Sequence, residues 1–272
     1  MLGQVELAAR WRSQVANSPP FLGAAVLLVA IVANLERTTP KDLRNPQPAQ
    51  APRDGREVRV LFLGNSLTRK NDLPSLVEAM AAAGGVKLKA VAITPDGGSL
   101  EDHWQNERAR QVLASTLWDH VVLQQGPSSR PESQIHLRKW SAQWADEARQ
   151  HGVKPALYMV WPFQGQKNGF EQVSKSYRSA AKASNATILP AGDAWQEALR
   201  RDPNMPLYQS DRLHPTRAGT YLAALVITYE LTGVKPTSVP ARLKLASENE
   251  FALPDAQADT LRQAAEKVHA ER

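Results

Sequence analysis

The chain has 272 residues, 42% apolar and 22% charged, with 33 Lys and Arg against 27 Asp and Glu for a formal charge of +6. That length supports one sizeable core with flanking segments rather than two full domains, and the composition is ordinary for a soluble globular protein. The basic residues form no run of five or six, so no nucleic-acid partner is inferred, and the absence of cysteine excludes disulfides, thiolate metal sites and cysteine nucleophiles.

In chain order, the first feature is residues 21–33, apolar apart from Gly23 and preceded by Arg10 and Arg12. As a helix they would span roughly 20 Å, short of the ~30 Å hydrocarbon core. That suits the apolar core of a secretory signal, with Ile31-Val32-Ala33 as an acceptable cleavage site. An uncleaved membrane anchor competes, since the polar lead of about twenty residues is long for a signal. A buried core helix is the plainer alternative. Arg37, Lys41 and Arg44 follow the segment, so charge bias leaves its orientation open. The expectation is an exported protein, periplasmic or extracellular, or one attached to a membrane through residues 21–33. Residues 34–56 carry Pro40, Pro46, Pro48 and Pro52 among polar residues and read as a tether that cannot bury enough to order itself.

The most informative run follows: Val60-Leu61-Phe62-Leu63-Gly64-Asn65-Ser66-Leu67-Thr68. Its apolar start predicts a strand covered on both faces, as in a parallel sheet. Gly64 is expected to let the backbone turn sharply, and Ser66 then sits beyond the carboxyl end of the strand, where open α/β sheets place ligands. Asn71 or Asp72 is expected to cap a helix with Pro74 in its first turn, an apolar stripe of Leu73, Leu76, Val77 and Met80, and a stop at Gly84-Gly85. Residues 86–93 alternate as a half-exposed edge strand. A helix from about Leu100 leads to a short buried strand at 120–123. Leu137, Trp140, Trp144 and Ala148 then recur at helical spacing as a core stripe. A fourth strand is read at 156–161, ended by Pro162, with Trp161-Pro162 as a pocket wall. A helix at 170–184 precedes a fifth strand at 186–189. Tyr221, Leu222, Leu225, Val226 and Tyr229 mark a helix closed by Gly233. The alternation implies a parallel sheet wrapped on both faces. Residues 234–272 read as an irregular stretch with one amphipathic helix.

A serine after a turn is ordinarily a cap or turn residue, and becomes a nucleophile only if a base reaches it. Of six histidines, only His214 has an aspartate three residues earlier, in Asp211-Arg212-Leu213-His214-Pro215. Alone, that run is also explained by a loop aspartate beside a solvated histidine. Metal ligation by Asp211 and His214 lacks further ligands at recognisable spacing. Together the two runs are stronger. Asp211 can hold the Nδ1 proton of His214 and leave Nε2 free to take the Ser66 proton.

On these pieces, with Gly97-Gly98-Ser99-Leu100 after the second strand, the chain resembles the SGNH (GDSL-type) hydrolase superfamily over residues 57–233. The resemblance implies a flavodoxin-like three-layer α/β/α sandwich with a five-stranded parallel sheet of order 2-1-3-4-5. It implies a Ser-His-Asp mechanism on carboxylic esters that needs no cofactor or metal. Ser66 would be nucleophile, His214 base then acid, and Asp211 the orienting carboxylate. The family builds its oxyanion hole from the serine N–H, a glycine N–H after the second strand, and an Asn side chain after the third. Ser66 and Gly97 match the first two roles, although Asp96-Gly97-Gly98 is also an ordinary turn. The third departs from the pattern: Gln124-Gln125-Gly126-Pro127-Ser128-Ser129 replaces Gly-x-Asn-Asp. Gln125 is preferred for its amide donor, with Gln124 and Ser128 as alternatives. Some carbohydrate-esterase branches carry Gln-Gly here, which favours acylated sugars. Asn65 replaces the family's frequent Asp and is expected to tune the turn. His103 is read as a helix-surface histidine, with a place near the pocket as its rival.

The expectation is therefore a signal or anchor at 1–33, a linker at 34–56, a hydrolase domain at 57–233 and a C-terminal extension at 234–272. The domain would be an esterase acting on short acyl groups of a small-molecule or glycan ester. Two alternatives stay open: an O-acyltransferase of an envelope polysaccharide, or a non-catalytic carbohydrate-binding module with a vestigial triad.

Overall fold

Five apolar runs pair side by side. β1 (Val58–Leu63), β2 (Leu88–Ile93), β3 (His120–Leu123), β4 (Lys154–Tyr158) and β5 (Thr187–Leu189) form a parallel sheet in the order β2-β1-β3-β4-β5. The computed structural model describes residues 57–115, 117–246 and 249–270. The signal or anchor read at 1–33 and the linker at 34–56 lie outside the described residues. Among those described, no helix is long and apolar enough to cross a membrane. β1 and β3 are central, and apart from half-buried Arg59 every residue of both is buried. Their near-continuous Val and Leu content follows from being covered on both faces. Among the described residues β2 is an edge that pairs only with β1, and it accordingly mixes Lys89 and exposed Val91 with buried Leu88.

Helices cover both faces, giving the three-layer α/β/α arrangement. α1 (Ser66–Arg69) is a single turn, followed through a 3-10 turn by α2 (Leu73–Ala83), which buries Leu73, Leu76, Val77 and Met80 and stops at Gly84. α3 (Leu100–Gln105) and α4 (Glu107–Ser115) lead into β3. α5 (Pro131–Gln150) buries Leu137, Trp140, Trp144 and Ala148, and α6 (Gly169–Ser184) packs against it. α8 (Arg217–Thr232), which ends at Gly233 in the left-handed region, is buried on most of its surface between α2, α7 (Ala191–Arg201) and α9 (Asp255–Ala270).

Three differences from the sequence reading have physical causes. The fourth strand ends at Tyr158, not at residue 161. Met159, Val160 and Trp161 are fully buried, so that apolar run marks burial that outlasts strand pairing. α7 was not anticipated: its buried stripe of Ala194, Trp195 and Ala198 is short, and Pro190 and Gly192 interrupt its start. Gly192 is required there because any side chain would collide with the Val160 carbonyl. In the C-terminal stretch, β6 (Arg242–Lys244) and β7 (Glu250–Ala252) form an antiparallel pair, where Phe251 stacks against Tyr221 of α8. Three-residue strands are too short to show a period.

Candidate active site

β1 hands over to the serine through Gly64 and Asn65. Gly64 does not take a positive φ; space explains the glycine there. A Cβ there would lie 2.5 Å from Thr68 Oγ1 and 2.6 Å from Gln124 Oε1. Asn65 caps α1, its Oδ1 accepting the Leu67 N–H at 3.0 Å, while its Nδ2 donates to the Gly98 carbonyl at 3.0 Å. One side chain thus ties the serine turn to the glycine loop after β2.

Gln124, buried at the end of β3, completes this turn. Its Oε1 accepts the Asn65 N–H at 2.9 Å and the Thr68 hydroxyl at 2.7 Å. Its Nε2 donates to Asn65 Oδ1 at 3.1 Å and to the Gln125 carbonyl at 2.8 Å. Both amide hydrogens and both lone pairs are used, so Gln124 has no donor left for a ligand. His103 corrects another expectation. It is buried, 2% exposed, and its Nε2 donates to the Gly64 carbonyl at 2.7 Å rather than facing solvent. Burial pushes its pKa down, which keeps the ring neutral in that contact.

The histidine arrives on the loop between α7 and α8 rather than directly after a strand. Asp211 folds this loop locally: its Oδ1 accepts the N–H groups of Leu213 at 3.0 Å and His214 at 2.9 Å. Its Oδ2 accepts from His214 Nδ1 at 2.5 Å. The two backbone N–H bonds, with the ring bond behind them, pull the Asp211 carboxyl down to about 2. His214 Nε2 lies 2.8 Å from Ser66 Oγ, 148 residues away in the chain. The structure therefore brings Ser66, His214 and Asp211 into one hydrogen-bonded line.

Contacts beyond Asp211 secure the loop. Gln209 N–H donates to the His214 carbonyl at 2.8 Å, and Trp161 Nε1 donates to the Leu213 carbonyl at 2.9 Å. Asn71 Nδ2 donates to the Pro215 carbonyl at 3.1 Å and to Thr220 Oγ1 at 2.8 Å. Two expectations change here. Trp161 does not wall the pocket; it is fully buried and stacks on Trp195 with ring centroids 3.5 Å apart. Neither Asn71 nor Asp72 makes a side-chain cap to α2; both take left-handed φ values, and the Asn71 amide reaches across to the histidine loop.

Candidate oxyanion donors converge on the same cavity of about 750 Å³, lined by Ser66, Gly97, Gln125, Ser128, Leu213 and His214 among others. The Ser66 N–H opens α1 and so has no acceptor within the helix. Gly97 has φ +64 in a turn closed by Gly98 N–H to the Pro95 carbonyl at 3.2 Å. Conformation rather than room calls for glycine there, because a Cβ would meet nothing within 4 Å. The Ser128 hydroxyl donates to the Gly126 carbonyl at 3.0 Å, which spends its only hydrogen. Gln125 Nε2 donates one hydrogen to Ser128 Oγ at 3.3 Å and keeps a second. Its Oε1 accepts from Leu100 N–H at 3.3 Å and meets His136 Nδ1 at 3.1 Å. His136 in turn contacts Glu101 Oε2 at 2.8 Å. The sequence reading did not single out Glu101 or His136; they lie 35 residues apart on α3 and α5, and no local spacing links them. Among the described residues, no group of three or more His, Cys, Asp or Glu side chains could hold a metal ion.

No protein-family model and no curated protein matches the chain. Among solved structures, the chain is similar to a candidate SGNH hydrolase from Slackia heliotrinireducens. The two are 25% identical with a TM-score of 0.55, over 64% of this chain and 98% of that one. A DUF4886 family protein from Bacteroides uniformis is 19% identical with a TM-score of 0.65, over 79% and 95% of the two chains. The lipase/acylhydrolase from Enterococcus faecalis is 17% identical with a TM-score of 0.52, over 65% and 96%.

Proposed function

We propose that this chain, which has the fold of the SGNH hydrolase superfamily, is a serine esterase that works through an acyl-enzyme on Ser66. The observation that carries the reading is the 2.8 Å contact between Ser66 Oγ and His214 Nε2, with Asp211 behind the ring at 2.5 Å. Ser66 Oγ attacks the ester carbonyl carbon while its proton passes to His214 Nε2. The carbonyl oxygen gains the electron pair and is held by the N–H groups of Ser66 and Gly97 and by Gln125 Nε2. Collapse of this intermediate breaks the bond to the alkoxide, which leaves with the proton from His214. Water then repeats the cycle, giving its proton to His214 and releasing the carboxylic acid as Ser66 recovers its own. Asp211 stays ionised throughout, since its carboxyl titrates near about 2. General-base assistance of this kind contributes about 10²–10⁴-fold, and each oxyanion donor about 10²–10³-fold.

The cavity supports short acyl groups and a polar alcohol. Gly97, Gly98, Ser99, Ser128 and Ser133 keep it open, its larger apolar surface, including Leu67, Pro127 and Leu213, can take the acyl group, and Arg69, Lys70 and Asp96 can hydrogen-bond a polar alcohol. An acylated carbohydrate fits that description better than a long-chain lipid. The test is turnover of p-nitrophenyl acetate through octanoate by the full chain beside Ser66→Ala. The expected result is hydrolysis fastest on the shorter chains and near-background rates for the variant. Equal rates in the two proteins would end the esterase reading. Acyl transfer to an added sugar in preference to water would replace hydrolysis with O-acyl transfer.

A further inference from the structure

We infer that Glu101 and His136 are positioning residues for Gln125, locking its carboxamide so that one Nε2 hydrogen is available to the cavity beside Ser66. The inference rests on the assignment of Gln125 to the oxyanion hole.

Hydrogen-bond polarity fixes the amide. The Leu100 backbone N–H can only donate, so the atom it meets at 3.3 Å is the Gln125 oxygen. His136 Nδ1, 3.1 Å from that same oxygen, must donate as well. Its Nε2 faces Glu101 Oε2 at 2.8 Å, and a carboxylate only accepts. With Leu100 N–H and His136 Nδ1 both donating, the two lone pairs of the amide oxygen are taken. A flipped amide would set its own hydrogens against those of Leu100 and His136. Nε2 is thereby forced to the other side. One hydrogen goes to Ser128 Oγ at 3.3 Å, whose own proton is committed to the Gly126 carbonyl. The second has no partner among the described residues, and Gln125 lines the cavity that holds Ser66 and His214. The Glu101 and His136 side chains are 41% and 32% exposed, so replacing them leaves no buried charge behind. What they supply is orientation, and a donor already aimed at the developing charge is worth more than one that must turn toward it.

A double-mutant cycle on the full chain with p-nitrophenyl acetate tests this. Gln125→Ala is expected to lower kcat about 10²-fold. His136→Phe should lower kcat about tenfold with KM unchanged, yet cost less than about twofold more when Gln125 is already Ala, because its effect passes through that amide. Glu101→Ala should lower kcat roughly fivefold, again only when Gln125 is present. Glu101→Gln should stay within about twofold of the parent, because a glutamine amide can donate to Nε2 while Nδ1 keeps its proton. If His136→Phe is silent, or its loss adds in full to that of Gln125→Ala, the lock is overturned and the esterase reading stands. If Gln125→Ala leaves kcat unchanged, the oxyanion assignment fails and takes the lock with it. Glu101→Ala repeats the cycle should His136→Phe not fold. The two side-chain N–H resonances of Gln125 give a readout independent of turnover. Their hydrogen exchange with solvent should be slower in the parent than in His136→Phe; identical exchange in both proteins would overturn the lock even if the enzyme is active.

Discussion

The turn that carries Ser66 and the loop that carries His214 solve the same positioning problem by opposite means. The serine turn is buried and held by partners from elsewhere in the chain: Gln124 to Asn65 and Thr68, Asn65 to Gly98, and His103 to Gly64. The histidine loop is open, with the Asp211 side chain 47% exposed and that of His214 23% exposed. Asp211 shapes its turn locally by bonding residues two and three positions on, while Gln164, Trp161 and Asn71 bond its outward carbonyls. A buried polar network is stable only when every member is satisfied, whereas an exposed loop can lose a bond to water. The serine turn is therefore expected to couple activity to stability, and the histidine loop to separate them.

The largest effect should fall on the open loop. Asp211→Asn keeps an oxygen for the Leu213 and His214 N–H groups but sets an amide N–H₂ against Nδ1, favouring the wrong tautomer. A loss of about 10³–10⁴-fold in kcat is expected on the same fold, with a smaller drop in the thermal midpoint than the buried turn shows, because solvent screens what the exposed carboxylate contributes. The matching change in the buried turn is Gln124→Leu. It strands the Asn65 N–H and the Thr68 hydroxyl without water, so stability should fall by roughly 2–4 kcal/mol while kcat drops with it. If the thermal midpoint of Asp211→Asn fell as far as that of Gln124→Leu, the contrast would be wrong. Asn71 joins the two regions, and Asn71→Gly retains its left-handed φ while removing its bonds to Pro215 of the histidine loop and to Thr220 of α8. A roughly tenfold loss in kcat is expected for about 1 kcal/mol of stability, read from turnover and urea midpoints.

That contrast also explains what the residues disclosed in advance. Asp211 to His214 is a local motif: the spacing that creates its hydrogen bonds is visible along the chain, as is the turn that exposes Ser66. The sheet order followed from apolar runs of strand length alternating with helical stripes, read through the family resemblance. The partners of the serine turn were not visible in the same way. Gln124 and Gln125 are adjacent amides whose roles separate only when the strand pairing points one toward Asn65 and the other toward Leu100. His103 has the local surroundings of a surface helix, and only the approach of the Gly64 carbonyl makes it a buried donor. Trp161 was placed in the right region for the wrong reason, since apolar character does not say which neighbour fills the space.

The smallest effect expected is in acid, and it too should divide the two regions. Burial lowers the pKa of His103 in the folded protein, whereas an unfolded histidine titrates near about 6.5. Below that value the unfolded chain binds the proton more readily. The contribution of the neutral ring is therefore complete above about pH 6.5 and is lost as pH falls from there through the lowered folded value. Asp211 behaves differently. Its carboxyl is pulled down to about 2 when folded, so its contribution is present above the usual carboxylate range and lost only as pH falls toward 2. Between about pH 6.5 and 4 the serine turn should loosen while the histidine loop keeps its carboxylate. His103→Gln can still donate to the Gly64 carbonyl but cannot take up the proton. His120, buried at the start of β3 and pushed down to about 4, adds to the same acid limb in both proteins, so their difference isolates His103. The thermal midpoint of the variant should fall less steeply than that of the parent across that range. Parallel lines would mean that the turn is not proton-linked, and that its buried bonds respond to acid no differently from the open loop.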